Sequence, residues 1–343
     1  QMKNMIRQLL QQCREKDDLL EQAAADMAKM KDSFNAFIEK EEKTNERTLQ
    51  ENDETVGRLK GKADESYFDT YAHFGIHHEM LTDEVRTESY RDAIVKNSDF
   101  MKGKTVLDVG CGTGILSMFA SQAGAEEIVA IDNSEIIYHA MDIARHNDIK
   151  NITFVKGKLE DTELPKEKFD IIISEWMGYF LLFEGMLDSI IYARRHHLKE
   201  GGMLVPNRCN ISLVGYGDVD RHNKYIEFWK DVYGFNMECM QKEVLREAVL
   251  DVCQPNYILT KSNVIADFDL MQVDYNYSSF SFDFNLPAIK SGMLTSFVGY
   301  FDTFFELPSK VSFSTSPENV PTHWKQVVFY IKNPVEVKVN DVI

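Results

Sequence analysis

Two glutamates carry a chemical signal of their own in this 343-residue chain. Residues 174–184 read SEWMGYFLLFE, so Glu175 and Glu184 bracket a segment that is otherwise apolar, aromatic or small. Buried carboxylates are costly unless a cation meets them. The segment itself holds no lysine or arginine, which leaves two partners open: an internal cation brought from afar by the fold, or the guanidinium of a ligand. Two carboxylates match the planar fork of donors on a guanidinium, a geometry that arginine uses. Such a pair can orient the group and bias its charge away from one terminal nitrogen, while the apolar neighbours exclude water.

A second signal precedes it. Residues 106–114 read VLDVGCGTG, a hydrophobic strand running into a glycine turn that lets a ligand approach the backbone closely. Gly110, Gly112 and Gly114 follow Gly-x-Gly-x-Gly rather than the dinucleotide spacing Gly-x-Gly-x-x-Gly, with Cys111 inside the turn and Asp108 before it. A carboxylate beside a pyrophosphate would be repelled, whereas the ammonium of a methionine moiety tolerates it. Asp132 ends the next strand, where an acid can accept both ribose hydroxyls of an adenosine. Together these favour S-adenosylmethionine over a dinucleotide, with a purely structural turn as the bland alternative.

Upstream, Tyr67, Tyr71, His77, Met80 and Arg86 form a dense polar and aromatic run. Arg86 suits a clamp for a cofactor carboxylate, and from spacing alone it suits a surface charge equally. His323 and Trp324 stand together in a β-rich region, where a lone histidine is more often structural than basic.

These residues need a scaffold. From 66 to 206 the pattern is α/β, with a strand expected at 105–109, a helix at 115–123 closed by Gly124, and strands at 128–131 and 169–174. From 207 to 343 strands are expected at 210–215, 280–286, 294–300, 310–314 and 326–331 without helices between most of them, so a second, antiparallel unit follows. A helical insert at 221–246 carries Tyr225, Phe228, Trp229, Tyr233 and Phe235, which suits a docking arm or a local core. Residues 1–38 place an apolar stripe on one helix face, as a coiled coil or a helix folded on its own body, and 39–65 read as a polar linker.

Composition narrows the partners. The net charge is -17, and residues 1–66 hold 12 basic and 15 acidic side chains, leaving 26 and 40 in the remainder. An acidic body repels phosphate backbones and attracts cationic peptides, so nucleic acid is disfavoured. Five scattered cysteines show no paired metal spacing, so no metal site is expected and a reducing compartment is. The longest apolar stretch, 171–187, contains Glu175 and Glu184 and is too short and too charged for a membrane span.

Residues 67–90, the 106–114 loop, the 175–184 segment and Thr322, His323 and Trp324 together resemble the protein arginine methyltransferase family, over about residues 66 to 340. The resemblance implies a Rossmann-like S-adenosylmethionine domain, a β-barrel-like domain behind it, and a helical arm at about 218–246 that makes a homodimer. It assigns Glu175 and Glu184 to the substrate guanidinium, Arg86 to the methionine carboxylate, Asp132 to the ribose and Glu160 to the adenine. His77, Asp108 and the loop of Gly110, Cys111 and Gly112 line the cofactor, and S-adenosylhomocysteine is the product. His323 beside Asp83 is a proton-accepting pair. Tyr67, Tyr71, Met80, Met177 and Trp324 shape a pocket of the class that makes mono- and asymmetric dimethylarginine. Flexible arginine- and glycine-rich protein segments are the expected substrates, in the cytoplasm with the nucleus as a second location. Within the family the upstream helix points to the subtype that carries a zinc finger ahead of its catalytic core, although this chain has no such finger. The chain ends at Ile343, before the last barrel strands of the family pattern, and so is expected to be a fragment with open sheet edges. A silent scaffold of the same fold, or a methyltransferase for another substrate class, is the competing reading.

Overall fold

The computed structural model describes residues 74–343. The helix expected at 1–38, the linker at 39–65, Tyr67 and Tyr71 lie outside the described residues. Helices α1 (Phe74–Thr82), α2 (Glu84–Val95) and the single turn α3 (Ser98–Met101) come first. Then β1 (Thr105–Val109) is buried at every residue, as befits a parallel strand with neighbours on both edges and cover on both faces.

At the end of β1 the chain turns through Gly110, Gly112 and Gly114, with φ of 71°, 53° and 79°. These are left-handed values that a Cβ resists, so the glycines are needed for the turn. Gly114 starts α4 (Ile115–Gln122), which buries Leu116, Ser117 and Ala120. The alternation continues with β2 (Glu127–Asp132), α5 (Ile136–His146), β3 (Ile152–Lys156), β4 (Phe169–Ile173), α6 (Leu187–His197) and β5 (Leu198–Val205). All five strands pair in parallel in the order β3-β2-β1-β4-β5. The order reverses between β1 and β4, and the carboxyl ends of strands at such a switch point open a ligand crevice. The glycine turn leaves from the end of β1, and the two-glutamate segment leaves from the end of β4.

The chain then builds β6 (Arg208–Tyr216), α7 (Val219–Tyr225), α8 (Gln241–Val244), β7 (Val249–Asp251), β8 (Asn263–Asp269), β9 (Gly292–Phe305), β10 (Val311–Ser314) and β11 (Gln326–Val337). These strands form a β-barrel-like antiparallel sheet in the order β7-β11-β9-β6-β8, with β10 also on β9. The register of β11 slips between Tyr330 and Val335, a stretch containing Pro334, which has no amide hydrogen to give the ladder.

The period of two along β6 and β9 divides their side chains between two cores. Cys209, Ile211, Phe301, Phe305 and Phe313 share the main core with β1 and β4. Val214, Tyr216, Val298 and Tyr300 form a second core with Val328 and Tyr330. Tyr90 of α2 meets Phe305 edge-on at 4.8 Å, and Phe313 stacks on Trp324 at 5.7 Å. Asn97 clasps the barrel-like unit to the helices: its Nδ2 donates to Ser309 O at 2.9 Å and its Oδ1 accepts from Ser309 N at 2.7 Å. No described helix is long and apolar enough to cross a membrane.

Two expectations change. Residues 280–286 do not form a strand. Their alternation is used by rings instead: Phe280, Phe282 and Phe284 run between Phe268 and Phe297 in tilted and edge-on contacts of 5.6 to 6.2 Å. Alternation fixes which face a side chain takes, but a ladder also needs a neighbouring backbone, and here only Leu286 exchanges both hydrogen bonds, with Ile343. The insert at 221–246 is helical only in pieces, α7, the 3-10 turns Glu227–Lys230 and Glu238–Met240, and α8. Tyr233 and Gly234 have positive φ and end helical geometry between the two turns.

Candidate active site

On the β1 and β2 side, the loop is held by Asp132. Its Oδ2 accepts from Gly112 N at 2.8 Å, and its Oδ1 accepts from Ser134 N at 2.7 Å and Ser134 Oγ at 2.6 Å. The protein therefore already uses three of the roughly four acceptor directions of this carboxylate. A ligand diol would share or replace the Ser134 hydroxyl. His77 is buried and its ring lies 3.4 Å from where a Cβ on Gly112 would sit, and Met186 would overlap a Cβ on Gly110 at 2.5 Å. A side chain at position 110 would therefore displace Met186, whereas at position 112 a Cβ would only touch His77. Glu160, on a 3-10 turn after β3, accepts from Ser189 Oγ at 2.6 Å.

Asp108 is fully buried below this loop. Its Oδ2 accepts from Ser117 Oγ at 2.6 Å, and its Oδ1 has no partner. Burial pushes the carboxyl up to about 7, with the Ser117 hydrogen bond opposing and the Asp132 charge assisting. Burial also lifts the neighbouring Cys111 thiol well above its ordinary value, so this cysteine is an inert lining group rather than a nucleophile. An unpartnered buried oxygen beside a cradle of glycines suits a ligand ammonium. It is the feature of this structure that best fits the amino acid end of S-adenosylmethionine.

At the end of β4, three hydrogen bonds fix the second segment. Ser174 Oγ donates to Val109 O at 2.7 Å, Tyr90 OH donates to Ser174 O at 2.9 Å, and Trp324 Nε1 donates to Met177 O at 2.8 Å. The chain then reverses through Phe180 and Leu181, both with positive φ, and Gly178 N donates to Leu181 O at 3.0 Å. The return seats Glu184 on Gly178, where a Cβ would come within 2.9 Å of the Glu184 backbone nitrogen and Cβ. Only glycine allows that approach.

The cation missing from the segment comes from α2. Arg86 Nε donates to Glu175 Oε2 at 2.9 Å across 89 residues, both side chains being buried. The internal partner that the sequence left open is therefore present for Glu175. It satisfies only half of that carboxylate, since Glu175 Oε1 is buried without a partner. Arg86 also donates to Met80 O at 3.1 Å, so the guanidinium is held at both ends. Asp83 caps α2 by accepting from Arg86 N at 3.0 Å, and its other oxygen accepts from His323 N at 2.9 Å and meets His323 Nδ1 at 2.7 Å. Burial raises the Asp83 carboxyl, but the His323 and Arg86 hydrogen bonds outweigh it and leave the group below its ordinary value.

Hydrogen bonds thus link Arg86 to Glu175 and to the Asp83–His323 pair and Trp324 to Met177, Glu184 is seated on Gly178, and Asp132, Asp108 and His77 stand around the glycine loop at the end of β1. Sequence reasoning missed Ser117, Ser134, Ser174, Tyr90 and Ser189, which hold these groups. A serine carries no pattern of its own, and only the neighbouring acid or carbonyl gives it a role. Among the described residues no group of three or more His, Cys, Asp or Glu is assembled to hold a metal ion.

Comparison with known proteins agrees with this geometry. Residues 100–262 match a methyltransferase domain, and residues 207–343 match the arginine methyltransferase oligomerization subdomain. The chain is 46% identical over 279 residues to protein arginine N-methyltransferase 1 of Dictyostelium discoideum, covering 81% of this chain and 82% of that protein. It is 44% identical over 286 residues to the protein of the same name in Saccharomyces cerevisiae, covering 82% of each. This chain belongs to the protein arginine methyltransferase family.

Solved members of the arginine methyltransferase family share the fold. One chain of a Trypanosoma brucei enzyme-prozyme heterotetrameric complex with AdoHcy superposes with a TM-score of 0.78 at 38% identity, covering 80% of this chain and 87% of that one. Arabidopsis thaliana protein arginine methyltransferase 10 gives 0.70 at 31% identity, with the same coverage.

For this arginine methyltransferase chain, Asp108 gives a stability prediction with a definite sign. Its folded-state value near 7 exceeds the roughly 3.9 of an unfolded aspartate, so folding takes up a proton between them. Its contribution to stability is full below about pH 4 and is lost as pH rises to about 7. Asp108→Asn keeps an acceptor for Ser117 and never ionises. Thermal melts of cofactor-free protein are expected to show a larger gain in Tm over the parent at pH 8 than at pH 5. Equal shifts at the two pH values would mean that Asp108 is not the group that titrates.

Proposed function

We propose that this protein transfers methyl groups from S-adenosylmethionine to a guanidinium nitrogen of arginine in protein substrates, giving monomethylarginine and then asymmetric dimethylarginine. The observation that carries the reading is the half-satisfied Glu175, which follows the end of β4 at the switch point and has one oxygen held by Arg86 and the other buried without a partner. A buried acceptor without a donor is costly, and a substrate guanidinium supplies the donor.

The cofactor would be held by Arg86 at its carboxylate, by Asp108 and the glycine loop at its amino group, by Asp132 at its ribose and by Glu160 and His77 around the rest. When bound it supplies an electrophilic methyl group. Glu175 and Glu184 orient the substrate guanidinium and draw its positive charge toward themselves, leaving one terminal nitrogen to attack in line. That nitrogen would take up the methyl group that the bound cofactor supplies, and it would then shed a proton. Asp83 holds the His323 ring with Nδ1 protonated, which leaves Nε2 to accept that proton. Trp176, Met177 and Leu181 are buried around the segment and exclude water. Met177 and Met80 are flexible side chains that leave space for a second methyl on the same nitrogen, which favours the asymmetric product.

The broken helical insert would serve as the arm of a homodimer. Phe228, Tyr233 and Phe235 are exposed on it, Tyr233 at 96%, an apolar display that fits a partner surface. The net charge of -17 favours arginine- and glycine-rich segments as substrates and disfavours nucleic acid. The cytoplasm, with the nucleus second, is the proposed location, by analogy with the family. At the level of subtype, the upstream segment resembles protein arginine N-methyltransferase 3, whereas the relatives quoted above carry the name protein arginine N-methyltransferase 1, so the assignment rests at the family.

The direct test incubates the chain with labelled S-adenosylmethionine and an arginine- and glycine-rich peptide, then identifies the modified residue by mass spectrometry of the hydrolysate. Asymmetric dimethylarginine is the expected product. Symmetric product would overturn the reading of the pocket, and transfer to lysine alone would overturn the guanidinium clamp. Cofactor binding without transfer would favour a silent scaffold of the same fold.

A further inference from the structure

One large side chain beside the glutamate pair has no use in the chemistry above. Phe183 immediately precedes Glu184 and is 81% exposed, although Trp176, Met177 and Leu181 of the same segment are 3% exposed or less. It does not sit on a loose end. Phe183 N donates to Tyr179 O and Gly185 N donates to Leu182 O, both at 3.2 Å, so the backbone is tied on either side of it. The inward anchor is Phe180, which lies over Gly299 and meets Phe329 edge-on at 5.4 Å. With Phe180 fixed inside, the reversal through Phe180 and Leu181 turns Phe183 outward.

We propose that the Phe183 ring is the platform on which the peptide planes beside the target arginine lie, and that it makes the protein prefer glycine at those positions. This rests on the reading of the site as an arginine methyltransferase and deepens it. Phe183 directly precedes Glu184, so its exposed ring stands on the same short reversal of the chain that carries the proposed clamp. A flat apolar ring exposed on a backbone that is tied on either side is an anchor that a binding partner can cover. It can lie flat against a peptide plane where no Cβ intervenes, and glycine offers both faces of its backbone.

The test uses the chain as it stands with two peptides of one length, a single arginine flanked by glycines or by valines. In Phe183→Ala the KM for the glycine peptide is expected to rise about tenfold, with kcat changed less than twofold and cofactor Kd unaltered. The preference for glycine over valine should shrink by a similar factor, and Phe183→Tyr, which keeps the ring, should restore both. If the parent methylates the peptides and Phe183→Ala does so with the same KM and preference, the platform is wrong while the arginine reading stands. A joint fall of kcat and cofactor affinity would mean a distorted hairpin and would also overturn it. If the parent methylates neither peptide, the arginine reading itself falls and takes the platform with it.

Discussion

Glu184→Gln is expected to lower methyl transfer about 100- to 1000-fold, the scale seen when one preorganised electrostatic contact to a reacting group is removed. The exchange keeps the shape of the side chain, and so its seat on Gly178, while removing the charge that draws the guanidinium out of symmetry. Cofactor affinity should change less than twofold, because the groups proposed to hold the cofactor stand on other elements. Melting temperature should stay close to that of the parent. The measurement is kcat/KM for an arginine peptide alongside cofactor Kd by calorimetry. Turnover within threefold of the parent would remove Glu184 from the clamp, and a matching loss of cofactor binding would move it to the other subsite.

Arg86→Met is expected to have the second large effect, on stability and cofactor binding together. Arg86 and Glu175 form a buried pair at 2.9 Å, and deleting one partner of such a pair strands the other charge at a cost of about 3–5 kcal/mol. Cofactor binding should weaken by at least about 30-fold, since the guanidinium is also the proposed carboxylate clamp. The decisive comparison is the double variant Arg86→Met with Glu175→Gln. Removing the stranded charge should recover most of the lost Tm, because a neutral amide is far cheaper to bury, but not the lost affinity or turnover. Recovery of neither would mean that packing of Arg86, rather than its charge, is what matters. Arg86→Lys should fall between, since an ammonium cannot hold Met80 O, Glu175 and a ligand carboxylate in one plane.

The two subsites are coupled through Arg86, which touches Glu175 directly and is itself oriented by the Asp83 cap. Asp83 in turn holds His323 from the barrel-like unit. A change on any of these four residues is therefore expected to reach the others, and their substitutions should not be additive.

Much of this protein was legible in its sequence, and the reason is local. The strand Thr105–Val109 and the helix after it were expected within one residue, because a continuous apolar run, a glycine turn and an amphipathic stretch each carry their own period. Gly110, Gly112 and Gly114 declared the turn because only glycine tolerates those φ values. The glutamate pair stood out because carboxylates in an apolar segment need an explanation that the segment lacks. What the tertiary structure alone decided is who meets whom. The alternation at 280–286 gave a face and no neighbour, and it became a row of rings instead of a strand. The edge strand Asn263–Asp269 buries only Phe268, and its apolar residues follow no clean period of two. Arg86 could equally have been a surface charge until the fold carried it 89 residues to Glu175. Spacing alone left His323 structural and only the resemblance set it beside Asp83; the fold brings the two together across 240 residues. A pairing at such separations is set by the switch in strand order between β1 and β4 and by the packing of the second sheet on the first. No spacing along the chain encodes either one.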